Sequence, residues 1–238
     1  MANKEEKVGA LNKIIILHGW TYSLAKWDEF VKLLRNLEFD VEVIKIPGLT
    51  EKSDEVWNLG KYSKWLNNRL SKESSKVILL GHSNGGRIAS CFAARFPAKI
   101  KKLILISTTG IYHREPALEI KRFLFGVVAK IGKRITNSNI LRKFLYRLAR
   151  EKDYQEASPT MRKTMLDLIS NDLTPEFKKI SIPTLIIWGE DDRITPLSDG
   201  QLVNKLIKNS KLKIVKGARH SSFYTHAGEV VRIIKHDI

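Results

Sequence analysis

The fold is decided by the stretch VILLGHSNGG at residues 77–86. Its first half is a short apolar run typical of a buried strand, and the residues that follow it up to 96 read as a helix. A strand, then Gly-x-Ser-x-Gly, then a helix is the pattern of a nucleophile elbow, a sharp turn that exposes a strained serine. Gly81 and Gly85 lack a Cβ and let strand and helix approach closely. The pattern predicts that Ser83 is a nucleophile; the alternative is a surface turn rich in glycine and serine.

Apolar runs on both sides of this stretch alternate between strand and helix. We predict strands at 13–17, 41–46, 77–80, 103–106, 183–188 and 212–215, and helices at 23–37, 56–70, 87–96, 196–208 and 225–234. The strand-like runs are short, and the one at 13–17 is apolar without alternation, as in a strand buried on both faces. With 238 residues and 43% hydrophobic content, one domain fits better than two. The sequence therefore predicts an α/β fold with a mostly parallel sheet and flanking helices.

The alternation stops after Gly110 and resumes near residue 183. Residues 111–175 contain no convincing strand and are predicted to form helices at 117–133, 139–151 and 159–169. Ser158-Pro159 supplies an N-cap and a proline at the first position of the third helix. A helical insert within an α/β alternation suggests a lid. We expect a core of residues 1–110 and 176–238 and a lid of residues 111–175.

A serine hydroxyl needs a general base, and the base needs an orienting acid. Following an elbow serine, the acid and then the histidine come later in the chain, at the carboxyl ends of parallel strands. The loop after the strand at 183–188 contains Glu190, Asp191 and Asp192, and the loop after 212–215 ends at His220. His220 is the expected base, and the three neighbouring carboxylates are the candidate acids. The other five histidines, at 18, 82, 113, 226 and 236, are expected to be structural or exposed.

Over nearly its full length the chain resembles the α/β-hydrolase superfamily of serine hydrolases. The acid loop of that family reads Gly-x-x-Asp, with a proline shortly after, so the resemblance points to Asp192. The N–H of Asn84, at the start of the predicted helix, is one expected oxyanion donor. By resemblance the second is the N–H of Trp20, which follows a His-Gly pair. The chain departs from many relatives at Thr21 and at residues 47–50, where a second glycine is common.

The chain is strongly basic, with 42 Lys and Arg residues against 25 Asp and Glu. Residues 120–152 alone contain ten basic residues and one acidic residue. A subgroup of the superfamily, the methyl esterases of pimeloyl chains on acyl carrier protein, combines His-Gly-Trp with a basic lid. That resemblance implies an acidic carrier protein as partner, and a solvated basic face is the alternative. No nucleic-acid-binding signature and no zinc-ligand spacing are present, so we expect no nucleic acid partner, no metal and no cofactor.

The expected location is cytoplasmic, and no membrane span is predicted. Apart from the strands, the longest apolar stretch, at 123–131, is interrupted by a lysine and far too short to cross a bilayer. Cys91 is the only cysteine, which excludes an internal disulfide and is consistent with a reducing compartment. We expect it to pack as a small apolar residue.

The reaction expected from these residues is hydrolysis of carboxylic esters with small or medium acyl or aryl groups. A serine at the elbow excludes haloalkane dehalogenases and epoxide hydrolases of this fold, which need a carboxylate nucleophile. The same triad serves thioester hydrolysis and C–C bond hydrolysis of diketone-like compounds, so both stay open. A member of the fold that binds a ligand without turning it over is the alternative outside enzymes.

Overall fold

The computed structural model describes residues 12–21, 23–112 and 158–238. Within them the chain forms one parallel sheet of six strands in the order β2-β1-β3-β4-β5-β6. The strands are β1 (Lys13–Leu17), β2 (Asp40–Ile44), β3 (Val77–His82), β4 (Ile100–Ile106), β5 (Thr184–Gly189) and β6 (Ser210–Val215). The α/β-hydrolase fold class expected from the sequence is confirmed.

Helices cover both faces of this sheet. They are α1 (Asp28–Arg35), α2 (Leu59–Leu70), α3 (Asn84–Arg95), α4 (Pro159–Ser170), α5 (Thr174–Lys179), α6 (Leu197–Leu206), α7 (Ser222–Thr225) and α8 (Ala227–Asp237). Single 3₁₀ turns at Ala25–Trp27 and Pro97–Lys99 precede α1 and β4. Helix α1 is therefore shorter than the helix predicted at 23–37. In place of the single helix predicted at 225–234, the structure has α7 and α8, with His226 between them.

The core consists of two apolar layers separated by the sheet. Side chains of α2, α3, α5 and α6 pack on one face of the strands, and those of α1, α7 and α8 pack on the other. The strands between the edges are buried on both sides, which is why they read as continuous apolar runs rather than as alternating ones. Cys91 is buried in the first layer, as expected.

The described end of the predicted lid is attached to this core. Helix α4 matches the third predicted lid helix, and the Ser158 side chain caps it by accepting the Met161 N–H at 3.1 Å. Leu168 and Leu173 are buried in the first apolar layer. Helix α5 was not predicted; it begins with a Thr-Pro pair, and proline is favoured in the first turn. The predicted helices at 117–133 and 139–151 lie outside the described residues.

We find no helix in the described part of the chain with the length and hydrophobicity needed to cross a bilayer.

Candidate active site

Ser83 occupies the turn between β3 and α3 in a strained conformation. Its φ of 53° and ψ of −119° lie in a region that residues with a Cβ rarely adopt. Glycine is required at two positions close to it, because any side chain there would collide with the main chain. A Cβ on Gly81 would lie 2.6 Å from the Gly86 Cα, and one on Gly85 would lie 2.0 Å from the Leu17 carbonyl oxygen. The turn is therefore a nucleophile elbow by its backbone geometry, and it holds the half-buried Ser83 side chain at the carboxyl edge of the sheet.

Asn84 begins helix α3, so its backbone N–H belongs to the first turn, where helical N–H groups have no intrahelical acceptor. The loop after β1 lies against the same turn, since a Cβ on Gly19 would be 3.0 Å from the Ser83 Cβ. Trp20 is the next residue and packs its ring against the first apolar layer. The structure thus brings the loop that carries Trp20 close to the turn that carries Ser83 and Asn84.

Asp192 and His220 meet across the ends of β5 and β6. The Asp192 Oδ2 atom lies 2.9 Å from the His220 Nδ1 atom. Burial of Asp192 acts to raise its pKa, but the hydrogen bond and the charge of His220, with the Thr195 donors, outweigh this and lower the pKa to about 2. Asp192 therefore stays ionised near neutral pH, accepts the Nδ1 proton, and leaves the Nε2 atom of His220 as the ring's proton acceptor.

Thr195 is a contributor that the sequence did not reveal. Its hydroxyl donates to Asp192 Oδ2 at 2.8 Å and lies 3.2 Å from His220 Nδ1. Its N–H and that of Ile194 donate to Asp192 Oδ1 at 3.0 Å and 2.9 Å. The carboxylate is therefore held by the turn that follows it. An aspartate followed three residues later by threonine is the only sequence signal for this contact.

The two alternative acids of this loop occupy structural positions. The Glu190 side chain is exposed and accepts the Gly217 N–H at 3.1 Å. The Asp191 N–H donates to the Ala218 carbonyl at 2.9 Å. Both residues thereby fasten the β5–α6 loop to the loop that carries His220. Of the three carboxylates, it is Asp192 that contacts the histidine ring.

His82, on the elbow itself, was expected only to line the turn, and it also supports His220. Its Nε2 atom lies 3.0 Å from the His220 carbonyl oxygen, to which it can only donate. Burial, with the charge that His220 carries when protonated, lowers the pKa of His82 to about 3, so its ring is neutral. The ring packs edge-on against Phe223, which stacks on Trp27. His82 thus holds the main chain of His220, the expected base, while its own ring stays neutral.

Arg87, on the first turn of α3, anchors the described end of the predicted lid. Its side chain is buried and its Nη1 atom donates to the carbonyls of Leu168 and Asn171, both at 2.7 Å. Its Nε atom donates at 2.8 Å to the Thr109 hydroxyl, which lies 3.3 Å from the side-chain oxygen of Asn84. The positive charge of the guanidinium at the C-terminal end of α4 also interacts favourably with the negative end of the helix dipole. The elbow helix and α4 are therefore joined directly.

In residues 12–21, 23–112 and 158–238, no group of three or more His, Cys, Asp or Glu side chains is placed to hold a metal ion. The thiol of Cys91 is buried, and burial raises its pKa to about 11, so it offers no thiolate near neutral pH.

Comparison with known proteins identifies the family of the chain. Residues 10–225 match the family described as serine aminopeptidase, S33. The chain is 25% identical to the 2-hydroxy-6-oxononadienedioate/2-hydroxy-6-oxononatrienedioate hydrolase 1 of Pseudomonas putida, over 93% of this chain and 86% of that protein. It is also 25% identical to the pimeloyl-[acyl-carrier protein] methyl ester esterase of Wigglesworthia glossinidia brevipalpis, over 97% of this chain and 94% of that one.

Among solved structures, MenH from S. aureus is similar with a TM-score of 0.69 and 25% identity, covering 94% of this chain and 92% of that chain. A family match over most of the chain, this structural likeness and the strained serine at the end of β3 agree with one another. The chain belongs to the serine aminopeptidase S33 family of α/β-hydrolases.

Proposed function

We propose that the protein hydrolyses carboxylic esters with small or medium acyl or aryl groups, using Ser83, His220 and Asp192. The Nε2 atom of His220 takes the Ser83 hydroxyl proton as Oγ attacks the ester carbonyl. The N–H groups of Trp20 and Asn84 stabilise the oxyanion. His220 then protonates the leaving alcohol, and an acyl-enzyme remains. A water deprotonated by His220 releases the acid and restores Ser83.

The observation that carries this proposal is the Asp192–His220 contact at 2.9 Å. The His220 ring centre lies 5.0 Å from that of His82, the residue before Ser83, and the φ of Ser83 is 53°. The buried carboxylate fixes the histidine tautomer and stabilises the imidazolium that forms during attack. Backbone strain of this kind persists only where the surrounding structure enforces it, as the glycine contacts of the elbow do. These features serve acyl transfer in general, and the leaving alcohol of an ester needs one proton, which His220 can supply.

The test is turnover of p-nitrophenyl acetate, butyrate and octanoate by wild type and by two variants. Ser83→Ala and His220→Ala should each lower kcat by a factor of about 10⁴ or more and leave the fold intact, because both side chains lie in turns. Ser90→Ala is the matched control: this buried serine lies in helix α3, and its hydroxyl has no hydrogen-bond partner in the described structure. Wild-type turnover equal to that of Ser83→Ala would contradict the proposal and favour a member of the fold that only binds its ligand.

A second candidate reaction is C–C bond hydrolysis, because several relatives are named as hydrolases of 2-hydroxy-6-oxo dienoates. Such a substrate carries a carboxylate that needs a cationic partner. Arg87, four residues after Ser83, already donates to Thr109, Leu168 and Asn171, which favours neutral esters. Loss of the dienoate absorbance, measured beside ester turnover and hydrolysis of an acyl thioester, separates the three reactions. A kcat/KM for the dienoate far above that for every ester would overturn our choice.

For a partner, the resemblance implies an acidic carrier protein bound at the basic segment 120–152, within the predicted lid 111–175, and a solvated basic face is the alternative. One relative is named for an ester on acyl carrier protein, which supports this assignment. The segment itself lies outside the described residues. Arg147→Glu with Arg150→Glu should slow turnover of a carrier-bound ester and leave a small neutral ester unaffected, with a difference that shrinks as salt rises. If wild type and the double variant hydrolyse each substrate at equal rates at every salt concentration, the carrier proposal is wrong and the segment is a solvated basic face. The cytoplasmic location remains a prediction.

A further inference from the structure

A chain of hydrogen bonds runs from the loop after β2 to the loop after β1. The Ile46 N–H donates to the Thr50 hydroxyl oxygen at 3.1 Å, and that oxygen lies 2.6 Å from the His18 Nε2 atom. The His18 Nδ1 atom in turn lies 2.6 Å from the Gly19 carbonyl oxygen. Four residues from two loops are thus connected in one line.

The protons along this line can be assigned from the chemistry of its members. His18 is completely buried, and burial lowers its pKa to about 4 against the opposing effect of the Gly19 carbonyl, so the ring is neutral and carries one N–H. The Gly19 carbonyl can only accept, which puts that proton on Nδ1. Nε2 must then accept, and the Thr50 hydroxyl, which itself accepts from Ile46, donates to it. Each hydrogen-bond donor in the line therefore faces an acceptor.

The end of this line determines the direction of a catalytic donor. All peptide bonds of the described chain are trans, so the carbonyl of Gly19 and the N–H of Trp20 point to opposite sides of one rigid plane. Holding the carbonyl on His18 therefore fixes the direction of the Trp20 N–H. The Gly19 Cα lies against the elbow, as the 3.0 Å distance from a built Cβ to the Ser83 Cβ shows.

We propose that Thr50 and His18 are positioning residues that orient the Gly19–Trp20 peptide as the second donor of the oxyanion hole. Thr50 is well placed for this task, because two hydrogen bonds to Ile46 hold it in position. The Thr50 N–H donates to the Ile46 carbonyl at 3.1 Å, and the Thr50 hydroxyl accepts the Ile46 N–H. The inference rests on the proposed function and deepens it, since it assigns control of one donor to a residue in another loop.

The first test is independent of catalysis. Nitrogen chemical shifts of the His18 ring in ¹⁵N-labelled wild-type protein near pH 7 should show a protonated Nδ1 and an unprotonated Nε2. A ring protonated at Nε2 would require Thr50 to accept rather than donate and would leave the Gly19 carbonyl without its donor. That result would overturn the proposal whatever the protein hydrolyses.

The second test compares Thr50→Val, which keeps the shape, with Thr50→Ser, which keeps the hydroxyl. Thr50→Val should lower kcat for p-nitrophenyl butyrate by about tenfold, less than the about 10²–10³ expected when an oxyanion donor is lost altogether, while KM changes by less than about twofold. Thr50→Ser should stay within about twofold of wild type. Ser53→Ala is the control for loosening of the loop, since the Ser53 hydroxyl bonds Trp57 and does not contact His18.

A trifluoromethyl ketone supplies the readout that a purely structural role would not change. Ser83 Oγ adds to its carbonyl, the serine proton passes to His220, and the carbonyl oxygen becomes an oxyanion. Its inhibition constant should rise about tenfold in Thr50→Val and stay unchanged in Thr50→Ser and Ser53→Ala. A wild type that binds the ketone but hydrolyses no ester would refute the ester proposal alone. An unchanged inhibition constant in Thr50→Val, an equal loss in Ser53→Ala, or no ketone binding by wild type would refute the positioning role.

Discussion

Acidification should destabilise this protein well above the pH at which its carboxylates titrate, because His18 and His82 are buried as neutral rings. Burial, the main cause in both, lowers the pKa of His18 to about 4 and that of His82 to about 3. In the unfolded chain each ring has a pKa of about 6.5 and takes up a proton below it. The unfolded state therefore binds more protons, and the stability that these rings contribute above pH 6.5 is lost as the pH falls toward their folded pKa values.

The size of the effect follows from these values. A difference of one pKa unit corresponds to about 1.36 kcal/mol. At pH 5 both rings are almost fully protonated in the unfolded chain and almost fully neutral in the folded one, so each costs about 2 kcal/mol relative to pH 8. Together they should lower the free energy of unfolding by about 4 kcal/mol, a large share of the about 5–15 kcal/mol that stabilises an ordinary domain.

Urea unfolding followed by circular dichroism at pH 8, 7, 6 and 5 measures this loss. His82→Gln is the informative variant, since its side-chain amide can still donate to the His220 carbonyl but does not titrate. The loss between pH 8 and pH 5 should fall from about 4 to about 2 kcal/mol in this variant. Equal stability of wild type at pH 8 and pH 5, or the same pH dependence in His82→Gln, would show that these rings take up protons in the folded state and would refute the reasoning.

Three further substitutions test other parts of the structure. Asp192→Asn should lower kcat on any accepted ester by about 10⁴ in a folded protein, because the amide no longer fixes the His220 tautomer; near-normal turnover would exclude Asp192 as the acid. Gly85→Ala should prevent folding or cost several kcal/mol by urea unfolding, since its Cβ would lie 2.0 Å from the Leu17 carbonyl, whereas Gly228→Ala, in open space on a helix, should gain about 0.5–1 kcal/mol. Arg87→Ala should lower the free energy of unfolding by about 2–4 kcal/mol and speed hydrogen exchange in α4 more than in the strands; uniform exchange would argue against a local anchor.

The parts of the fold that could be predicted are those encoded by local pattern. Apolar runs located the six strands, and the runs of the central strands β1, β3 and β5 are nearly continuous because a strand covered on both faces has no polar side to interrupt it. The elbow could be identified because glycine is the one residue that fits where β3 and α3 meet. The rule that catalytic groups collect at the carboxyl ends of parallel strands predicted His220 and three candidate acids, and the family resemblance singled out Asp192 among them. The contact of Asp192 with His220 at 2.9 Å agrees with that rule.

The residues that support the site could not be predicted in the same way. Thr195 holds Asp192 through a turn whose sequence, an aspartate and a threonine three residues apart, is common on surfaces. His82 and Arg87 act on residues more than eighty positions away in the chain, a relation that no local pattern encodes. Thr50 was noted in the sequence only as part of a departure from a glycine pattern, although the structure puts its hydroxyl 2.6 Å from His18. Long-range partners of this kind become visible only when the loops are placed in space.

The two expected oxyanion donors are held by backbone contacts, and this decides which changes the site can tolerate. The start of α3 lies so close to the end of β1 that a Cβ on Gly85 would be 2.5 Å from the His18 carbonyl oxygen. The Asn84 and Trp20 N–H groups therefore sit on two main-chain segments that are pressed together. Neither donor is a side chain, so substitution of the Trp20 ring should affect packing more than oxyanion stabilisation. Changes at Gly85, His18 or Thr50, which set the spacing and direction of those segments, should affect the reaction itself.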